Sequence, residues 1–177
     1  MKKESLVSES GHENVKRSFV RDGIMGVGAL DWNRVWQERL ALRGDIRRDV
    51  AFWDGRAPSF AKAAPEMDYV NRFLSIMKPE PCWTVFDMGC GSGALAIPLA
   101  KRVSSVTAVD FSPEMLAVVR RRCETEGIDN VEIIRVAWED DWKKYGIGTY
   151  DAVIASRSMV VEDLRASIVK LNAVSRN

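Results

Sequence analysis

The residues best suited to ligand chemistry are concentrated in Asp87-Met88-Gly89-Cys90-Gly91-Ser92-Gly93-Ala94. Glycine at every second position lets the backbone turn sharply and approach a ligand closely. A helix following such a turn offers free N–H groups to the ligand. Asp87, two residues before the first glycine, can face the ammonium of an amino-acid-bearing ligand, whereas a pyrophosphate would meet an unneutralised carboxylate. A second acid, Asp110, ends the next apolar run, where a carboxylate can accept both hydroxyls of a ribose. Gly89, Gly91 and Ala94 also satisfy G-x-G-x-x-A, so a nicotinamide-dependent oxidoreductase is the competing expectation. Asp87 and the strict alternation of three glycines disfavour it, while Asp110 serves either ligand.

The rest of the composition narrows the chemistry. The single histidine, His12, lies in a polar tail, so no metal site or triad built on several histidines is expected. Cys82, Cys90 and Cys123 lack metal-ligand spacing and read as reduced thiols of a cytoplasmic protein. A net charge of +1 gives no basic surface for nucleic acid. No run approaches the roughly 18 apolar residues of a membrane span, and no secretory signal follows Met1-Lys2-Lys3.

These residues need elements to position them. Trp83 to Met88 is a short apolar run with the signature of a buried strand. Ala94 to Arg102 follows as a helix that must accommodate Pro98. Val106 to Val109, Val131 to Val136 and Tyr150 to Ala155 read as further strands. Ser112-Pro113-Glu114 is a helix start, with a hydroxyl cap, proline in the first turn and an acid at the positive end. That helix should stop at Gly127, with Arg120, Arg121 and Arg122 as a solvated end, and a last helix spans Val160 to Val174. Upstream, helical spacing appears from Asp31 to Arg43, from Val50 to Lys62 and from Glu66 to Met77, closed by Lys78-Pro79-Glu80-Pro81. Successive β–α steps imply a parallel sheet with helices on its faces, an α/β fold.

Asp87 to Gly93 resembles motif I of class I S-adenosylmethionine-dependent methyltransferases. Val106 to Met115 resembles their second motif, and Asp151 to Ser156 sits where the fourth-strand motif is expected. The resemblance implies a three-layer Rossmann-like fold with parallel strands in the order 3-2-1-4. The family's sheet usually has seven strands, and the stretch after motif I has no room for strands five to seven. The chain is therefore expected to be truncated after strand four, with a bare edge that a second copy could cover in a homodimer. The organisation implied is a flexible extension over 1–30, a helical N-terminal cap over 31–80, and the cofactor-binding domain over 81–177.

The resemblance also implies roles. S-adenosyl-L-methionine would be the cofactor and S-adenosyl-L-homocysteine the product. Asp87, Gly89, Cys90, Gly91 and Gly93 would shape the turn around the methionine portion. Asp110 would hold the ribose, Phe111 and Met115 would flank the adenine, and Ala137 and Trp138 would lie at its edge. Many relatives carry an acid where Ala137 stands. Ser156, also counted among the cofactor-binding residues, begins the segment Ser156-Arg157-Ser158 after strand four that supplies the acceptor-side candidates, with Arg157 placed to orient an anionic substrate. Phe52-Trp53-Asp54-Gly55-Arg56-Ala57 is similar to a segment upstream of motif I in small-molecule methyltransferases. It suggests that Trp53 and Phe60 cover the site and that Arg56 pairs with the cofactor carboxylate. The expected activity is methyl transfer to a small-molecule acceptor, with a non-catalytic cofactor-binding module as the alternative. Catalytic residues are unassigned, because a displacement from a sulfonium needs alignment more than a base.

Overall fold

The structure is a computed structural model that describes residues 30–42, 48–63 and 67–176. Residues 1–29 of the expected extension, Arg43 of the first expected helix and Glu66 of the third lie outside the described residues. Three helices come first: α1 (Trp32–Leu42), α2 (Val50–Lys62) and α3 (Met67–Met77). There follow β1 (Thr84–Met88), α4 (Ala96–Ala100), β2 (Ser105–Asp110), α5 (Pro113–Glu126), β3 (Val131–Arg135), β4 (Ala152–Ile154) and α6 (Leu164–Ala173). A short 3₁₀ helix, Trp142–Tyr145, lies between β3 and β4.

All pairings in the sheet are parallel, and the order is β3-β2-β1-β4. The fold is the expected three-layer α/β arrangement. Alternation along β1 divides its side chains between two apolar layers. Val85 packs with Val70 and Leu74 of α3, Leu99 of α4 and Leu116 and Val119 of α5. Phe86 and Met88 point the other way, into a cluster with Val109, Trp142 and Val174. Ser112 caps α5 as expected, accepting from Met115 N, and Asp49 and Asp163 cap α2 and α6, accepting from Phe52 N and Ala166 N. Gly127 ends α5 in the left-handed region at φ 64°.

Several boundaries differ from expectation. The helix after the glycine turn is only Ala96–Ala100, because the turn extends through Leu95 before regular helical bonding begins. The fourth strand shrinks to three residues, and α6 starts at Leu164 after an irregular connection from Ala155 to Asp163. The arginine run does not occupy the last turn of α5, which carries Glu124 and Glu126 instead. Arg120 and Arg121 are exposed, whereas half-buried Arg122 donates from Nη1 to Ser92 O at 3.0 Å.

The edge of β4 is not bare where the strand begins. After α6 the backbone returns to it: Tyr150 N donates to Val174 O and Arg176 N donates to Tyr150 O, both at 2.8 Å. This parallel bridge between Tyr150 and Ser175 stands where a fifth strand of the order 3-2-1-4-5 would start. Asp151 fastens the same corner, accepting from Thr84 N and Oγ1 at 2.8 Å and from Arg176 Nη1 at 3.0 Å. Those three donors hold its carboxyl down at about 2. No helix of the described residues is long and apolar enough to cross a membrane.

Candidate functional site

A cavity of about 550 Å³ opens at the carboxyl ends of the strands, where open α/β sheets place their ligands. The volume lies within the ordinary range for small-molecule sites, about 300–1,000 Å³. Its floor is the glycine turn. Gly89 N and Cys90 N both donate to Val109 O, at 2.7 and 2.9 Å, so the turn is stitched to the end of β2. Gly89, Gly91 and Gly93 all take positive φ, which side chains other than glycine rarely adopt. At Gly91 an added Cβ would meet nothing within 4 Å, so the backbone there lies open to the cavity. At Gly89 it would fall 2.3 Å from Ser158 Cβ, because Ser158 is drawn against the turn by its bond to Met88 O at 2.7 Å.

Two acids stand at the ends of adjacent strands, and both line the cavity. Asp87, only 2% exposed, is pushed up to about 7, first by burial and then by the charge of Asp110. A carboxyl so placed favours a cationic partner, which would offset its desolvation. Asp110 is raised chiefly by burial, although backbone N–H groups pull the other way. Its Oδ1 accepts from Ser112 N and its Oδ2 from Gly91 N, both at 2.9 Å. Each oxygen keeps further lone-pair capacity for a ligand hydroxyl. The Cys90 thiol is pushed well up by burial, then by Asp87 and Asp110, and behaves as an apolar wall.

Of the residues given cofactor roles from sequence, Asp87, Gly89, Cys90, Gly91, Asp110, Phe111, Met115, Ala137, Trp138 and Ser156 line this one cavity, as do Trp53, Phe60 and Arg157. Gly93 does not line it. A Cβ there would press on Ile97 at 3.1 Å and Val119 at 3.3 Å, so this glycine permits close helix packing under the turn. Arg56 does not line the cavity either. Trp53, Ala57 and Phe60 share the face of α2 turned toward α5, while Phe52 and Arg56 fall four apart on its flank. Exposed Arg56 lies over the Phe52 ring at 5.4 Å, and Arg48 and Arg122 are the guanidinium residues lining the cavity besides Arg157.

The adenine-edge segment is tied internally. Ala137 N donates to Asp140 Oδ2 at 2.8 Å, and Ala137 O accepts from Trp142 Nε1 at 3.0 Å. Trp138 donates from Nε1 to Ser158 O at 3.2 Å and packs its ring on Trp142 at 5.8 Å. Lys170 of α6 braces the same loop, donating to Trp138 O at 2.6 Å and Asp140 O at 2.8 Å. On the opposite wall Tyr69 Oη and Ser156 Oγ lie 2.5 Å apart, and Arg157, at φ 60°, stacks over the Tyr69 ring at 5.0 Å. Sequence reasoning missed Arg48 and Tyr69. Tyr69 sits among the apolar positions of α3, and only the fold brings that helix to the end of β4. Among the described residues no group of acids, cysteines and histidines could hold a metal ion.

Residues 85–176 match the family described as "Methyltransferase domain". The chain belongs to this family. The chain is 29% identical over 154 residues to an "Uncharacterized protein" of Haemophilus influenzae, covering 86% of this chain and 57% of that one. It is 35% identical over 86 residues to a ubiquinone biosynthesis O-methyltransferase of Acinetobacter baumannii (strain AYE), covering 49% of this chain and 36% of the relative. A solved DhpI–SAM–HEP complex superposes with a TM-score of 0.56 at 22% identity, over 72% of this chain and 59% of that one. The chain thus spans little more than half, or less, of the curated relatives it matches. The nicotinamide alternative finds no support in this family assignment.

Proposed function

We propose that this domain binds S-adenosyl-L-methionine and that the protein transfers its methyl group to a small-molecule acceptor. The observation that carries the reading is the pair of strand-end acids on one cavity, Asp87 buried beside an open glycine turn and Asp110 one strand away. The residues present fit the cofactor. Asp87 would take the ammonium, the backbone at Gly91 would admit the methionine portion, and Asp110 would accept the ribose hydroxyls. Phe111, Met115 and Trp138 supply apolar walls for the adenine, and the name of the DhpI complex supports the same ligand.

The cofactor, when bound, supplies a methyl group on a sulfonium that leaves as a neutral thioether. The chain's own task is to hold the acceptor in line with that carbon, about 3–3.5 Å away, and to keep water out. Trp53 and Phe60 of α2 provide the apolar cover, and Tyr69 with Ser156 offers hydroxyls on the acceptor side. A small acceptor accords with the name of the Acinetobacter relative and with a net charge of only +1. The buried thiols Cys90 and Cys123 accord with a reducing, cytoplasmic setting. Incubation with methyl-labelled S-adenosylmethionine and a panel of phenolic, amine and thiol acceptors tests the activity. Label appearing in an acceptor, and thermal stabilisation by S-adenosylhomocysteine but not NAD, are expected. Stabilisation by NAD alone would overturn the reading.

A further inference from the structure

A line of hydrogen bonds leaves the cavity floor and ends on a helix of the N-terminal region. Gly91 N–H donates to Asp110 Oδ2, and Ser112 N–H donates to Asp110 Oδ1, each at 2.9 Å. Ser112, fully buried, caps α5 by accepting from Met115 N at 3.1 Å. Its hydroxyl proton goes outward, to Asp54 Oδ1 of α2 at 2.6 Å. The same Asp54 oxygen also faces Glu114 N at 3.4 Å. Asp54 thus meets the positive end of α5 as well as its cap. Beside this polar contact, Ala57 of α2 packs on Met115 and Val118 of α5, with Trp53 and Phe60 against them. α2 therefore carries, within about two turns, both the aromatic cover of the cavity and a carboxylate wired to the acid on its floor.

We propose that Asp54 is a positioning residue that couples α2, through Ser112, to Asp110 and Gly91, so that covering the cavity and orienting its floor are one event. The inference rests on the ligand reading above for its functional consequence, but the coupling itself does not. Withdrawing Asp54 leaves the Ser112 hydroxyl without its acceptor, loosens the cap, and frees the Asp110 carboxylate to rotate away from Gly91. Trp53 and Phe60 lose their anchor in the same step. The charge of Asp54 also bears on Asp110, raising it. The other groups facing Asp110 are Asp87 from β1, Cys90 from the turn and Arg135, its register partner on β3.

The test uses the whole chain, with S-adenosylhomocysteine as probe. Asp54→Ala should weaken its binding at least tenfold, while Asp54→Asn, which keeps an acceptor oxygen, should stay within about threefold. The pH at which binding falls off should move down in Asp54→Asn relative to the parent, a shift that loss of packing would not produce. Asp54→Ala combined with Ser112→Ala should bind no worse than Ser112→Ala alone, since both break one line of bonds. Multiplying effects in the double variant, or an Asp54→Ala affinity within twofold of the parent, would overturn the coupling. Hydrogen exchange without ligand separates the two readings: faster exchange at both Gly91 and Ser112 in Asp54→Ala is expected. Unchanged exchange at both sinks the coupling. A parent that fails to bind the probe sinks the ligand reading alone.

Discussion

Replacing Asp87 by Asn probes the cost of keeping an acid under the glycine turn. An ordinary aspartate titrates near 3.8, and burial beside Asp110 carries Asp87 to about 7. A native value above the unfolded one means that the folded chain holds its proton longer. Stability is then unpenalised below about pH 4 and falls as pH rises through the window from 4 to 7. The shift of about three units corresponds to up to about 4 kcal/mol at 1.36 kcal/mol per unit. Asn cannot ionise, so the variant should lack this part of the slope whatever its absolute stability. Urea unfolding of the ligand-free protein at several values between pH 4.5 and 8 reads the difference. The parent should lose stability toward pH 8 relative to Asp87→Asn. Raised Asp110 contributes a slope of the same sign to both proteins and cancels in the comparison. Parallel profiles would refute the claim that Asp87 is held protonated by its surroundings. The variant should also lose most affinity for an ammonium-bearing ligand, exchanging function for stability.

Other consequences are measurable. Gly89→Ala must fit a side chain at φ 72° and 2.3 Å from Ser158 Cβ, so it should lower stability by about 2 kcal/mol or more and abolish ligand binding. Adding Ser158→Gly should return part of the stability by thermal melting. Asp110→Asn should weaken S-adenosylhomocysteine binding about tenfold to a hundredfold in calorimetry, as expected on losing hydrogen bonds to a charged acceptor. Asp151 contributes stability that is present above about pH 4 and is lost as pH falls through about 2, so Asp151→Asn should be less stable than the parent at neutral pH. The two melting curves should converge in strong acid, and a constant gap would contradict the assigned network with Thr84 and Arg176.

The centre of the sheet was legible because β1 and β2 are buried on both faces and read as short apolar runs with acids at their ends. The helix starting at Ser112-Pro113 and ending at Gly127 was equally plain, since cap, proline and glycine act locally. The acids and glycines of the cavity were readable for the same reason: each stands at a strand end, where the parallel topology fixes its position. What escaped depends on packing between distant segments. Arg56 looked correctly placed in the sequence, yet Trp53, Ala57 and Phe60 set the face of α2 that packs on α5, and Arg56 falls on the flank. Lys170 carries no motif, and its role comes from backbone carbonyls that the fold brings beside it. The pairing of Ser175 with Tyr150 was hidden because a single bridge leaves no periodicity to read.

The central claim is that Asp87 and Asp110 together seat an amino-acid-bearing nucleoside on the glycine turn. Titration calorimetry of the folded 177-residue chain with S-adenosylhomocysteine, in two buffers of different ionisation enthalpy near pH 6, tests it most directly. One saturable site is predicted, with a proton released on binding as Asp87 ionises against the ligand's ammonium. Absence of binding, or binding with no proton released and no loss in Asp87→Asn, would contradict the account.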